Sequence, residues 1–471
     1  MNELSKLHTL GRSINHDSSL RQTTGEAKYI DDITTPKDTL HLALVLSSQA
    51  CGKINKIILE KALSLKGVYY VLTYKNIPGE NKIGPIIHDE PALAERRVEY
   101  IGQPVAVVIA KNHNLAQNAA KLVEISIEKD EEPILNLSDS LLKNSLVMPK
   151  MKLLKGSPEE KIKKSKYSLK GEINIGGQDH FYLEGHIALA LPEEEDQMTI
   201  WSSTQHPTEV QHCVASVLGV AQSKITSKVR RLGGGFGGKE SQASIIASIT
   251  ALCSWYSKKP TKLRLTRKDD MLATGKRHDF KSIYQVGFNS RGKIEGLKID
   301  MLSRAGNVAD LSGPVMTRAM THIDNCYSLK NIAVNGYCCK TNTVSNTAFR
   351  GFGGPQGILT IETIIDEISR KLNKSIEEVR SVNLYSNKNG LKTPYGQKVL
   401  DSERYNEVWN EVSNLSDYTN RKNGVDLYNT KQEEIGSPLR KGISSTLIKF
   451  GISFNKTELN QAGALVHIYT D

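Results

Sequence analysis

The stretch RRLGGGFGGKE, residues 230 to 240, holds five glycines between Gly233 and Gly238 and closes on Lys239 and Glu240. A second stretch, AFRGFGGPQG, residues 348 to 357, repeats the Gly-Phe-Gly-Gly core. Glycine is conformationally permissive but costly in entropy, so two such loops point to one shared ligand that must come close to main chain. Helical patterns follow both, SQASIIASITALCSWYSKK after the first and QGILTIETIIDEISRKLN after the second. Free N–H groups and the positive dipole end at a helix start favour anions such as phosphate.

Three readings of the first loop compete. Gly233, Gly235 and Gly238 fit the G-x-G-x-x-G dinucleotide pattern after KITSKVRRL, yet the acid expected about 20 residues on for the ribose is replaced by WYSKKPTK. A P-loop needs Gly-Lys-Ser/Thr, and here Lys239 is followed by Glu240, an acid that would face phosphate. In the third reading the loops only let helices pack close to strands, which leaves the phenylalanine embedded in each unexplained.

Other chemistries are weaker. The spacings of His180, His206 and His212 match no common zinc pattern. Cys51, Cys213, Cys253, Cys326, Cys338 and Cys339 form no C-x-x-C pair, which argues against an iron–sulfur or zinc framework held by this chain. Lys and Arg number 62 against 51 Asp and Glu, a net charge of +11, but the lysines alternate with acids in the manner of solvated faces and aromatic content is 6%. No basic stripe interleaved with stacking rings is present, so no nucleic-acid partner is expected. The run ASIIASITALCSWY is too short to span a bilayer, and MNELSKLHTLGRSINH lacks the apolar core of a signal peptide. The expectation is a cytoplasmic protein without a membrane partner.

The elements that must position these loops read as α+β. Residues 20–135 alternate strands (HLALVLSS, QPVAVVIA) with helices (HNLAQNAAKLV) and are expected to form a unit of their own. Residues 136–164, with a proline and a Lys-rich stretch, read as a linker. Residues 165–395 form a larger α+β unit with both glycine loops, and a third unit begins near 410 and ends on QAGALVHIYTD, an alternating strand pattern with no hairpin partner.

Taken in order, GQDHFYLEGH (177–186), RRLGGGFGGKE and NTAFRGFGGPQG (346–357), with TTGEAKYIDDI near the start and FGISFNKTELNQAGALVHIYTD at the end, resemble the molybdenum-binding part of the xanthine dehydrogenase family. The resemblance implies a hammerhead-type α/β domain over 20–135, a first molybdenum-cofactor-binding domain over 165–395 and the incomplete start of a second over 410–471. It also implies that a molybdopterin cofactor holds the metal through its dithiolene. Gln178, Phe236, Gly237 and Arg350 correspond to residues that approach this cofactor, the glycines giving it access to main chain. Glu240 and Arg318 correspond to the acid and base that grip a purine, Phe352 and Phe454 to rings that sandwich it, and Leu311 and Leu459 to apolar walls. Asn455 stands where the family often carries a hydroxyl.

The resemblance further implies oxidative hydroxylation of hypoxanthine or xanthine, with electrons leaving through 2Fe-2S clusters and FAD on partner subunits to NAD. The Glu240 and Arg318 pair favours a purine over an aldehyde, and NTAFR lacks the cysteine of the copper-containing carbon monoxide dehydrogenases. The family's catalytic glutamate and last cofactor loop are expected beyond Asp471, on a missing C-terminal part. Alternatives are an aldehyde oxidase-like hydroxylase, a non-catalytic truncated fragment, and a dinucleotide-binding protein.

Overall fold

The computed structural model of the chain describes residues 13–454, 458 and 460–470. The strands of its two larger sheets, in chain order, begin with β1 (Leu40–Leu46), β2 (Val68–Thr73) and β3 (Pro104–Ala110), then β4 (Met151–Lys155) and β5 (Tyr167–Ile175). They continue with β6 (Ile187–Pro192), β7 (Met198–Ser202), β8 (Ile225–Lys228) and β9 (Thr261–Arg264), and end with β10 (Phe280–Phe288), β11 (Ile294–Gly306) and β12 (Ile332–Lys340). Helices α1 (Pro207–Leu218), α2 (Gln242–Ser257), α3 (Ser312–Thr321) and α4 (Gly354–Leu372) pack against them.

Two sheets organise the mixed α+β molecule. The first has seven strands in the order β8-β7-β6-β9-β1-β3-β2, and the second five in the order β5-β10-β11-β12-β4. Every residue of β3 (PVAVVIA) is buried, the continuous apolar run of a strand covered on both faces. Helices α1 and α2 lay Val210, Val214, Ile246 and Ile249 on Leu42, Val107 and Ile200 of the first sheet. On the second sheet, α3 and α4 set Val315, Met316, Ile361 and Ile365 against Phe280, Leu297 and Ile299. The regular three- and four-residue spacing along α4 carries its apolar stripe into this core.

The structure refines one expectation and corrects two. Residues 20–135 build a three-stranded sheet (Gly52–Ile58, Arg97–Val98, Glu124–Glu128) and a two-stranded one (Lys82–Ile83, Glu90–Pro91) of their own, but they also lend β1, β2 and β3 to the seven-stranded sheet, where β1 runs parallel to β9 with Leu42 opposite Leu263. Alternation and helical spacing show that a strand exists, but not which distant edge it joins. Residues 136–164 are not a linker, because they form the Leu137–Leu142 helix, edge strand β4 paired with β12, and the Pro158–Lys164 helix. Short Lys-bearing elements such as MKLLK, whose residues alternate between half-buried and exposed, are edge structure that composition alone reads as loop.

The second correction concerns the end of the chain. Residues 460–470 form no strand, and Leu465, Val466 and Ile468 are exposed. A period-two pattern needs a ladder partner to become a strand, and none lies beside it among the described residues. Two helices, α5 (Glu403–Leu415) and α6 (Tyr418–Glu434), precede it. Among the described residues no helix is long and apolar enough to cross a membrane.

Candidate cofactor and ligand site

Three connections converge above the sheets. The first loop joins β8 to α2, the second joins β12 to α4, and residues 176–186 join β5 to β6. In the first loop Gly234, Phe236 and Gly237 have φ of 97°, 52° and 99°, and in the second Gly351, Phe352 and Gly353 have 94°, 50° and 94°. A left-handed phenylalanine is uncommon and strained, so its presence in both loops marks a conformation imposed by the surroundings.

Much of what the glycines make room for is protein. A Cβ on Gly233 would lie 2.3 Å from Glu184 Cβ, on Gly237 2.7 Å from the Ala348 carbonyl, and on Gly238 2.7 Å from the His180 ring. The loops nest into each other and into the 176–186 segment. Phe236, by contrast, remains 49% exposed at the tip, open to a ligand.

Hydrogen bonds lock the three connections together. The Arg350 N–H donates to the Phe236 carbonyl at 2.8 Å, and His180 Nε2 donates to the Ala348 carbonyl at 2.7 Å while its ring stacks on Phe349 at 4.5 Å. Burial pushes the His180 imidazole down to about 4, so it is neutral near pH 7. Gln205 Oε1 accepts from the Gly237 N–H at 2.8 Å. Lys239 is fully buried, and its ammonium donates to the Glu184 carbonyl at 2.6 Å and to Ser203 Oγ at 2.7 Å. It is a strut turned inward, away from any phosphate in the loop.

Arg277, which no sequence motif announces, is the hub. Its Nε donates to Gln178 Oε1 at 2.7 Å, its Nη2 to the Arg350 carbonyl at 2.8 Å, and its guanidinium lies 3.9 Å from the Phe349 ring centroid. Desolvation pushes it down to about 10, so it keeps its charge. Its Nη1 is buried without a partner among the described residues. A cleft of about 350 Å³ opens beside Gln178 and Arg277, with Lys276 and Arg304 also in its walls.

The residues expected on the ligand side lie along α2 and α3. Glu240, two residues before the first residue of α2, makes no side-chain hydrogen bond among the described residues, and desolvation followed by the charge of Asp310 pushes its carboxyl up to about 7. Leu311 is buried at the start of α3. Arg318, on the same helix, is 5% exposed and donates to the carbonyls of Gly451 and Ser453. Those carbonyls belong to a segment held by side chains instead of a strand ladder: Asn325 donates to the Leu447 carbonyl at 2.9 Å and Arg380 to the Ser445 carbonyl at 2.7 Å.

Phe352 and Phe454 come together, yet their centroids are 5.5 Å apart at 56°, ring against ring. A planar ligand between parallel rings needs roughly 7 Å, two stacking distances, so the sandwich is not open in this arrangement. Asn455 and Leu459 lie outside the described residues.

The pattern described as "Molybdopterin cofactor-binding domain" matches residues 141–384, more than half of the chain, and "Aldehyde oxidase and xanthine dehydrogenase, a/b hammerhead domain" matches residues 24–131. The chain belongs to the molybdopterin-binding xanthine dehydrogenase and aldehyde oxidase family. Within this family it is 40% identical over 464 residues to the xanthine dehydrogenase/oxidase of Gallus gallus, covering 98% of this chain and 34% of that protein. It is also 40% identical over 469 residues to a nicotinate hydroxylase of Emericella nidulans, with the same coverage of 98% and 34%. The chain therefore spans about a third of the length of the curated relatives it matches. Its fold is shared with the reconstituted CO dehydrogenase of Oligotropha carboxidovorans at a TM-score of 0.81 and 20% identity, over 92% of this chain and 57% of that one.

The site fits the family's cofactor. The orphaned Arg277 Nη1, the Arg350 guanidinium, which has no ion pair among the described residues, and the Gln178 amide, whose oxygen is already taken by Arg277, leave donors for an anionic group carrying oxygen ligands. Among the described residues no group of three or more His, Cys, Asp or Glu could hold a metal ion.

Proposed function

We propose that this molybdenum hydroxylase family member holds one side of the molybdopterin cofactor and most of a pocket for a purine, and takes part in oxidative hydroxylation of hypoxanthine or xanthine toward urate. When bound, the cofactor supplies oxygen transfer from water and accepts the two electrons. Gln178, Arg350 and the Phe236–Gly237 backbone would hold it, with Arg277 fixing the first two in place.

The observation that carries the purine reading is the Glu240 carboxyl, left without a protein partner beside the loop that meets the cofactor. The Ser241 hydroxyl donates to Asp310 at 2.9 Å, which ties the start of α2 to the start of α3, and α3 carries Arg318. One acid and one fork of donors on linked helices suit a heterocycle with alternating acceptors and donors. Arg318 would also stabilise negative charge developing on the ring. For that it must exchange the Gly451 and Ser453 carbonyls for ligand, so opening of the 445–454 segment is part of the proposal. The same opening would part Phe352 from Phe454 for stacking.

The general base, the 2Fe-2S clusters and the FAD are proposed to lie in the remaining two thirds of the length seen in relatives, on the same or partner polypeptides, with NAD as final acceptor. A pyridine carboxylate is the second reading, since the nicotinate hydroxylase is as similar to this chain as the xanthine dehydrogenase/oxidase is. The test is turnover of hypoxanthine, xanthine and nicotinate by the full-length complex. Purine hydroxylation with a drop of about 100-fold in kcat/KM for Arg318→Met supports the purine reading. Nicotinate hydroxylation alone replaces it with the pyridine one.

A further inference from the structure

Asp310 lies immediately before α3 with φ of 39°, a left-handed conformation, and is 3% exposed. Three side chains donate to its carboxylate: Ser241 at 2.9 and 3.0 Å, Gln242 at 2.6 Å and Thr347 at 3.0 Å. They come from the start of α2 and from the second glycine loop, so this one acid clamps the residue next to Glu240 to the loop that carries Arg350. Among the described residues no cation pairs with it. Lys239 is committed to Glu184 and Ser203, Arg318 to backbone carbonyls, and His278, whose Nε2 lies 2.8 Å from Ser312 Oγ, is kept neutral by burial.

We propose that Asp310 is a positioning residue: clamped to Ser241 next to Glu240, it fixes a negative charge there and, together with the burial of Glu240, keeps that carboxyl protonated. The donor set decides which acid carries the charge. Asp310 has three side-chain donors to stabilise its ionised form, whereas Glu240 has none. Glu90, 5% exposed in the first unit, also feels the charge of Asp310: burial, then the charges of Asp310 and Asp89, push its carboxyl well above the usual carboxylate range. Asp89 accepts from the Ala309 N–H at 3.0 Å and holds the backbone leading into Asp310.

The consequence concerns ligand class and rests on the reading of Glu240 as ligand-facing. A carboxylate only accepts hydrogen bonds, whereas a protonated carboxyl offers one O–H donor beside one acceptor. Such a group complements a neutral nitrogen heterocycle whose edge carries an acceptor nitrogen or a lactam. It disfavours an anionic edge less than a carboxylate would.

The test is an NMR titration of the full-length protein labelled with carboxyl-¹³C glutamate and aspartate, without ligand, from about pH 4 to 9. Glu240→Gln and Asp310→Asn assign the two signals. The expected result is a Glu240 midpoint near 7 with Asp310 ionised at lower pH. In Asp310→Asn the Glu240 midpoint falls by about one unit or more. An ordinary glutamate midpoint in the wild type, or an unchanged one in Asp310→Asn, overturns the proposal. If Asp310→Asn does not fold, the wild-type order decides: Asp310 still protonated where Glu240 ionises overturns it. A midpoint near 7 that does not respond to added hypoxanthine upholds the coupling and removes the purine reading alone.

Discussion

Arg277 shows how one side chain can hold a site that it does not advertise. Its fork reaches Gln178 and the Arg350 carbonyl at once, on two connections 172 residues apart in sequence. Lysine keeps the charge but not the planar geometry. Arg277→Lys is therefore expected to leave Gln178 or the Arg350 carbonyl unsatisfied and to lower stability by about 2 kcal/mol, read as a shift of the urea midpoint. The same variant purified from cells should carry less molybdenum per chain, since Gln178 and Arg350 lose their common support.

The glycine loops work as elements through their mutual fit. At Gly237 a methyl group meets both a φ of 99° and the Ala348 carbonyl at 2.7 Å, whereas at Gly176 nothing lies within 4 Å. Gly237→Ala should cost about 2 kcal/mol or more, because strain and clash with backbone add. Gly176→Ala should stay within about 0.5 kcal/mol. Equal thermal shifts for the two variants would remove the nesting argument. The dinucleotide and P-loop readings of RRLGGGFGGKE lose their physical basis at this scale, since Lys239 is a buried strut and the glycines accommodate neighbouring protein.

Sharing of the seven-stranded sheet makes the first and second units one cooperative body. Leu42 pairs with Ile109 on β3 and with Leu263 on β9 and is fully buried. Leu42→Ala is expected to cost about 2–5 kcal/mol and to move one common unfolding transition, followed by intrinsic fluorescence and circular dichroism. Two separate transitions would show that the shared sheet does not couple the units.

Stability should also follow pH in a way set by buried groups. His180 at about 4, His278 at about 3 and His322 at about 4 are held neutral by burial. Their folded values lie below the unfolded one, so stability is lost as pH falls below about 6.5. Glu240 acts in the opposite sense: its folded value of about 7 exceeds the unfolded one, so its contribution is full below about 4.5 and is lost as pH rises to 7. Glu240→Gln should accordingly gain on the wild type between about pH 4.5 and 7, by at most about 3 kcal/mol, in melting curves taken across that range.

Local chemistry made much of this legible in the sequence. Strands such as HLALVLSS and QPVAVVIA, the helices after both glycine loops, and the family itself follow from short-range periodicity and from residue types at fixed spacing. Such signals are written within one element or one motif. What only the tertiary structure decided involves partners distant in sequence: the pairing of β1 with β9, the conversion of 136–164 into an edge strand and two helices, and the burial of Lys239. Asp310 and Arg277 belong to the same group, since an isolated aspartate or arginine carries no periodic or motif signal. Their roles arise from hydrogen bonds across 37 to 99 positions of chain, which depend on where the sheets bring the loops and not on any local preference.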